Sequence, residues 1–183
     1  IDDAESVRAE AEYLLRQLEI PLEVVEYAIT KASGMGVKVI LNPAPAAKIA
    51  PEALSRLYAI TPNETECSLL TGIEIETEAD AMNAADALHA LGIPNVVITC
   101  GKRGALISTA DERVMVPARK VEAVDTTAAG DVFNGALTVG LAEGKTMVEA
   151  ARMATCASAI AVTRIGAQSS IPTRCEVEAM LGD

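Results

Sequence analysis

The sequence predicts an α/β fold with a mostly parallel sheet, and two observations carry that prediction. Short apolar runs of strand length, such as Val37 to Leu41 and Val96 to Thr99, alternate with longer segments of helical spacing. The residues that break local rules (Asn42-Pro43, Pro62-Asn63, Thr99 to Gly104 and Asp125 to Asp131) cluster just after such runs or ahead of a helix. Strands that alternate with helices build βα units, and a sheet buried on both faces reads as continuous apolar runs. This predicts three layers, α/β/α, in one domain over residues 1–183. Ligands in such sheets bind at the carboxyl ends of the strands.

The elements follow in order. Residues 2–16 read as a helix with an acidic start. Leu18 to Ile20 are a short apolar step ended by Pro21. Leu22 to Ser33 form an amphipathic helix that Gly34 and Gly36 stop. Val37 to Leu41 is a strand, and Asn42-Pro43-Ala44-Pro45 cannot continue its ladder. A helix over Pro51 to Leu57 precedes a strand at Tyr58 to Thr61. Pro62-Asn63-Glu64 then opens a helix to Leu70. Ala79 to Leu91 has helical spacing and ends at Gly92 and Pro94. Val96 to Thr99 is a buried strand and Gly101 to Gly104 a loop. Ala105 to Ser108 and Val114 to Val116 are strands joined by the turn Ala110-Asp111-Glu112. The last third is helical, at about 130–143, 147–163 and 174–181.

Composition narrows the function. The net charge is -11 and no Lys/Arg cluster interrupts it, which argues against nucleic acid and anionic membranes as partners. One Phe, three Tyr and no Trp offer little surface for stacking bases. Cys67, Cys100, Cys156 and Cys175 form no C-x-x-C pair, and His89 is the one histidine, so no zinc site is expected. Dispersed cysteines read as reduced thiols of a cytoplasmic protein. His89 reads as a surface residue. No apolar run has the length of a membrane span.

The chemistry concentrates in Val124-Asp125-Thr126-Thr127-Ala128-Ala129-Gly130-Asp131. Small residues where a loop becomes a helix let a ligand approach the backbone, and the first N–H groups of a helix favour an anion. Ala128, Ala129 and Gly130 are therefore a candidate anion hole, and Asp131 beside them a candidate base. The helix N-terminus favours the ionised carboxylate by about 0.3–1 kcal/mol. General-base assistance is worth roughly 10²–10⁴ in rate. An aspartate at a helix start is more often only a cap, so the whole string, not Asp131 alone, carries the functional reading.

That string closely resembles the C-terminal signature of the ribokinase family of carbohydrate kinases. Asn42-Pro43-Ala44-Pro45-Ala46, Thr61-Pro62-Asn63-Glu64-Thr65-Glu66, Leu70-Thr71-Gly72, Thr99-Cys100-Gly101-Lys102-Arg103-Gly104 and Ala161 to Gln168 resemble the family in the same order and at similar spacing. The resemblance spans essentially all 183 residues and implies a Rossmann-like sheet. Within the family, Gln17-Leu18-Glu19 and the Gly-Ala-Gln segment resemble members that make ribose 5-phosphate from D-ribose and ATP. Members acting on deoxyribose, fructose or nucleosides are near alternatives, and a non-catalytic nucleotide-binding fragment is a third reading.

The resemblance implies roles residue by residue. Asp131 deprotonates the sugar hydroxyl that attacks the γ-phosphate, and the backbone from Ala128 to Gly130 forms the anion hole. Glu19 hydrogen-bonds the sugar; without the resemblance it is a solvated carboxylate. Asn63 lies near the ATP phosphates, although its string also suits a plain N-cap. Thr99, Cys100, Gly101, Lys102, Arg103 and Gly104 contact the nucleotide, with Gly130 and, beside the adenine, Thr155. A larger polar residue is more usual at the position of Thr155. Asp125, Thr127, Ala161, Arg164, Gly166 and Ser170 match a site for an activating monovalent cation, K+, mostly through carbonyl oxygens. Asp125 alone reads as a turn or cap residue. Mg2+ accompanies ATP.

The resemblance covers only the C-terminal part of such an enzyme. The N-terminal strands, a sugar-gripping glycine-glycine-lysine region and the small β-sheet lid that makes the usual homodimer have no counterpart here. The chain, which begins at Ile1, is thus expected to be a piece of a longer kinase, with an unpaired sheet edge and little activity alone.

Overall fold

The computed structural model describes residues 11–182. Among them are six strands, β1 (Tyr13–Arg16), β2 (Lys38–Leu41), β3 (Ala59–Ile60), β4 (Asn95–Thr99), β5 (Ala105–Ser108) and β6 (Arg113–Val116). Seven helices accompany them: α1 (Leu22–Gly34), α2 (Pro51–Leu54), α3 (Glu64–Thr71), α4 (Glu78–Ala90), α5 (Ala129–Ala142), α6 (Met147–Ala161) and α7 (Arg174–Gly182). The strands form one sheet in chain order, β1-β2-β3-β4-β5-β6, and β1 to β4 pair in parallel. The α/β fold expected from the sequence is the fold observed.

The chain divides into two compact units, residues 1–99 with 108–113, and residues 100–107 with 114–183. In the first, helices follow parallel strands, and Val39, Ile40, Leu41, Ile60, Val96, Val97 and Ile98 are fully buried. These are the continuous apolar runs that a sheet covered on both faces requires. Capping boxes open two helices: Asn63 with Glu66 at α3, and Thr77 with Asp80 at α4. In the second unit α5, α6 and α7 share a core of Val132, Met153, Cys156, Ala157, Ile160, Ala161 and Val177. Alanine-rich α6 permits close packing, and a Cβ on Gly140 would lie 3.0 Å from the Ala150 Cβ.

Several expectations need correction. The predicted helix over 2–16 lies partly outside the described residues, but Tyr13–Arg16 is a strand paired with Lys38–Leu41. Tyr-Leu-Leu-Arg suits either state, and pairing with the next strand decides it. The helix predicted to reach Leu57 stops at Leu54, and the strand after it is two residues, Ala59–Ile60. Gly101–Arg103 is a 3-10 turn rather than an open loop.

His89 is only partly at the surface. It is half-buried, with Nδ1 2.8 Å from the Ile93 carbonyl and Nε2 2.8 Å from Ser108 Oγ. A carbonyl only accepts, so Nδ1 donates to Ile93, while Nε2 lies against the buried Ser108 Oγ, which also accepts the Arg113 Nε–H at 3.0 Å. None of the four cysteines is in a disulfide; Cys67, Cys100 and Cys156 are buried and Cys175 is exposed. Among the described residues no helix is long and apolar enough to cross a membrane.

Candidate active site

In the first unit, the residues that leave the strands are stitched to one another. The Asn42 N–H donates to the Arg16 carbonyl at 2.9 Å, Thr61 N–H to Leu41 at 2.9 Å, and Thr99 N–H to Pro62 at 3.0 Å. The Leu18 N–H donates to Ala44 at 2.8 Å, which sets Glu19 exposed at the carboxyl end of β1. Asn63 forms a parallel bridge with Thr99, so these two candidate nucleotide residues are neighbours.

The side chain of Asn63 is committed to its helix. Its Oδ1 accepts from the Glu66 N–H at 2.8 Å and its Nδ2 donates to Glu66 Oε1 at 2.9 Å. Its own N–H donates to Glu66 Oε2 at 2.9 Å. The capping role weighed from the sequence is therefore realised in full.

In the second unit, the Cys100 N–H donates to the Gly104 carbonyl at 2.7 Å and closes the turn that holds Gly101, Lys102 and Arg103. Gly104 has φ +111°, and a Cβ there would lie 2.0 Å from the Val116 carbonyl oxygen. Only glycine fits such a place. Lys102 is exposed and Arg103 half-buried.

The segment Asp125 to Asp131 lies in the same unit. Ala128 is the N-cap of α5 with φ 59°, the one non-glycine residue with positive φ among the described residues. An L-residue there carries a strain of roughly 1–2 kcal/mol. The first intrahelical bond runs from the Val132 N–H to the Ala128 carbonyl, and the Ala129 N–H donates to Thr126 at 3.2 Å. Gly130 and Asp131 thus occupy the turn where helical N–H groups precede the intrahelical ladder. Asp131, in that first turn, is exposed.

Two side chains that the sequence did not single out hold this turn. Ser158 Oγ, from α6, donates to the Ala129 carbonyl at 3.0 Å. Asn134 Nδ2 donates to the Gly130 carbonyl at 2.9 Å. Asn134 is only 3% exposed, and its Oδ1 has no hydrogen-bond partner among the described residues. The signal available in the sequence was a polar residue on an apolar helix face, between Phe133 and Leu137.

Asp125 ties two loops together. Its Oδ1 accepts from the Thr127 N–H at 2.9 Å and its Oδ2 from the Gly166 N–H at 3.0 Å. The Thr127 hydroxyl, then the Gly166 and Thr127 N–H groups, hold its pKa down at about 2. The Val124 and Asp125 N–H groups both donate to the Val162 carbonyl, at 2.7 and 3.1 Å. Gly166, at φ +92°, lies opposite, and the Arg164 guanidinium pairs with Glu176. Asp125, Thr127 and Gly166 are thus brought together directly.

Three other predicted residues have their polar groups in use. The Ala161 carbonyl accepts from the Arg164 N–H at 3.0 Å. The fully buried Ser170 donates its hydroxyl to Ala167 at 2.8 Å. The Thr155 hydroxyl donates to Ala151 in its own helix at 2.8 Å. The Thr155 hydroxyl proton is thus engaged within its own helix. Among the described residues no group of three or more His, Cys, Asp or Glu could hold a metal ion.

The chain belongs to the pfkB family of carbohydrate kinases, whose sequence model matches residues 2–174. It is 47% identical over 176 residues to ribokinase of Haemophilus influenzae, covering 96% of this chain and 58% of that protein. The structure of Thermotoga maritima ribokinase superposes with a TM-score of 0.89 at 43% identity, covering 98% of this chain and 59% of that one. Arabidopsis thaliana ribokinase, solved with ribose and ATP, superposes with a TM-score of 0.93 at 33% identity, over 99% of this chain and 59% of that one. The chain spans less than two thirds of the length of each of these relatives.

Proposed function

We propose that the protein of which this chain forms part transfers the γ-phosphoryl group of ATP to a sugar hydroxyl, with D-ribose as substrate and ribose 5-phosphate as product. The observation that carries this reading is the position of Asp131, in the first turn of α5 directly after the strained Ala128-Ala129-Gly130 turn. Asp131 takes the proton of the sugar hydroxyl as its oxygen bonds to the γ-phosphorus, and the bond to the ADP oxygen breaks. The Gly130 N–H, at the positive end of the helix, faces the charge that develops on the phosphoryl oxygens. Ribose is favoured because the relatives named above, 47% and 33% identical, are ribokinases, one of them solved with ribose and ATP.

The other roles follow the same reading. Glu19 binds the sugar, and Asn63 and the Thr99 to Gly104 turn, with Thr155, take the nucleotide. Magnesium would come with ATP and would supply charge neutralisation at its phosphates. The loops joined by Asp125 would seat potassium, with Thr127, Ala161, Arg164, Gly166 and Ser170 supplying oxygens around a carboxylate ionised above about pH 2. A homodimer through the lid and a cytoplasmic setting belong to this reading and rest on the resemblance.

The test uses the full-length protein. ATP-dependent phosphorylation is measured with ribose, deoxyribose, fructose and a nucleoside, in potassium and in sodium. Ribose in potassium gives the highest kcat/KM. Asp131→Asn lowers turnover by about 10²–10⁴ and leaves ATP affinity largely intact. Near-normal turnover in that variant removes Asp131 as the base.

A further inference from the structure

We propose that Ser158 and Asn134 are positioning residues for phosphoryl transfer, clamping the two peptide planes at the start of α5 that carry the Gly130 N–H and lead into Asp131. The inference rests on the kinase reading above.

A trans peptide unit is planar, so its N–H points opposite to its C=O. Fixing the Ala129 carbonyl therefore fixes the direction of the Gly130 N–H. Fixing the Gly130 carbonyl likewise fixes the plane that ends at the Asp131 backbone. Ser158 Oγ holds the first at 3.0 Å and Asn134 Nδ2 the second at 2.9 Å. The two bonds act on consecutive peptides of the one turn that the proposed chemistry uses.

The Ser158 bond is not a local default, whereas the Asn134 bond joins an amide to the carbonyl one turn back in its own helix. A hydroxyl inside a helix commonly bonds the carbonyl one turn back. Thr155 and Thr138 do so, to Ala151 and Asn134. Ser158 reaches instead to another helix, 29 residues away in the chain. Asn134 is set against a carbonyl, which only the amide nitrogen can face, so its orientation is fixed. That orientation leaves Oδ1 buried and unpartnered among the described residues, where Val132, Phe133 and Leu137 bury apolar groups. An amide in that setting is accounted for by what it holds. The turn also contains the left-handed Ala128, which the clamps keep from relaxing. Donors fixed in advance need no reorganisation as charge develops.

The test again uses the full-length protein, with kcat, KM for ATP and sugar, Tm, and hydrogen exchange at the Gly130 amide. In Ser158→Ala, kcat falls about 10-fold or more from misplacement, while both KM values change less than about two-fold. Gly130 amide exchange accelerates and Tm moves little. Ser158→Thr, which keeps the hydroxyl, recovers the rate. Asn134→Asp sets an acceptor against the Gly130 carbonyl and lowers kcat at least as far.

Normal kcat in both Ser158→Ala and Asn134→Asp overturns the clamp. So does a loss in Ser158→Ala that follows Tm or that Ser158→Thr does not recover. If Asn134→Asp does not fold, the Ser158 pair decides alone. A wild-type protein that phosphorylates no sugar overturns the kinase reading and the clamp with it; an active wild type with unaffected variants overturns the clamp only.

Discussion

The carboxylate of Asp125 accepts the Gly166 N–H at 3.0 Å, across 41 positions of the chain. Its other oxygen accepts the N–H of Thr127. One side chain thus ties the loop before α5 to the loop after α6. The bonds need the ionised form, and its pKa, lowered from 3.8 to about 2, has the sign expected for that. A depressed carboxylate pKa stabilises the fold above the unfolded-state value and loses that contribution as pH falls through the folded one. Asp125→Asn is therefore expected to lower Tm at pH 7. The gap from wild type should narrow below about pH 4 and close below about pH 2, in thermal melts across that range. A gap as wide at pH 2 as at pH 7 assigns the effect to something other than the charge.

Ala128→Gly separates strain from function. The left-handed conformation costs alanine roughly 1–2 kcal/mol. Glycine adds roughly 0.5–1 kcal/mol of unfolded-chain entropy. The variant is expected to be more stable by about 0.5–1 kcal/mol, read from denaturant midpoints at constant m. A loss of stability would show that the alanine methyl packs better than its φ suggests.

Gly104→Ala should act in the opposite direction. The new Cβ would meet the Val116 carbonyl oxygen at 2.0 Å, the Ala118 nitrogen at 2.7 Å and the Pro117 carbonyl carbon at 2.8 Å. All three are backbone atoms and cannot swing away. A destabilisation of about 3 kcal/mol or more is expected, with the 3-10 turn at Gly101–Arg103 displaced. Denaturant melts measure the first, and loss of ATP affinity the second.

Asn63 has two roles to be told apart, a cap and a phosphate neighbour. Serine is an equally good cap, so Asn63→Ser should cost less than about 0.5 kcal/mol, while Asn63→Ala costs about 1 kcal/mol. If Asn63 also contacts nucleotide, both variants raise the KM for ATP in the full-length enzyme. An unchanged KM in Asn63→Ser leaves the residue a cap alone.

Local chemistry determined much of this protein on its own. Glycine stops, capping strings and 3.6-residue spacing located α1, α3, α4 and the last three helices to within a few residues, because those signals act over one turn of chain. The Asp125 to Asp131 string marked the candidate site through its resemblance to the family signature. Other features depended on distant partners. Tyr13–Arg16 became a strand through pairing with Lys38–Leu41, and His89 is half-buried because Ile93 and Ser108 satisfy its ring. Only tertiary structure showed that the Asp125 carboxylate accepts two backbone amides, and that Ser158 and Asn134 hold the turn before Asp131. Sequence spacing records which groups are one helical turn apart; it carries no record of a hydroxyl on α6 meeting a carbonyl on α5, because packing alone brings those atoms within 3.0 Å.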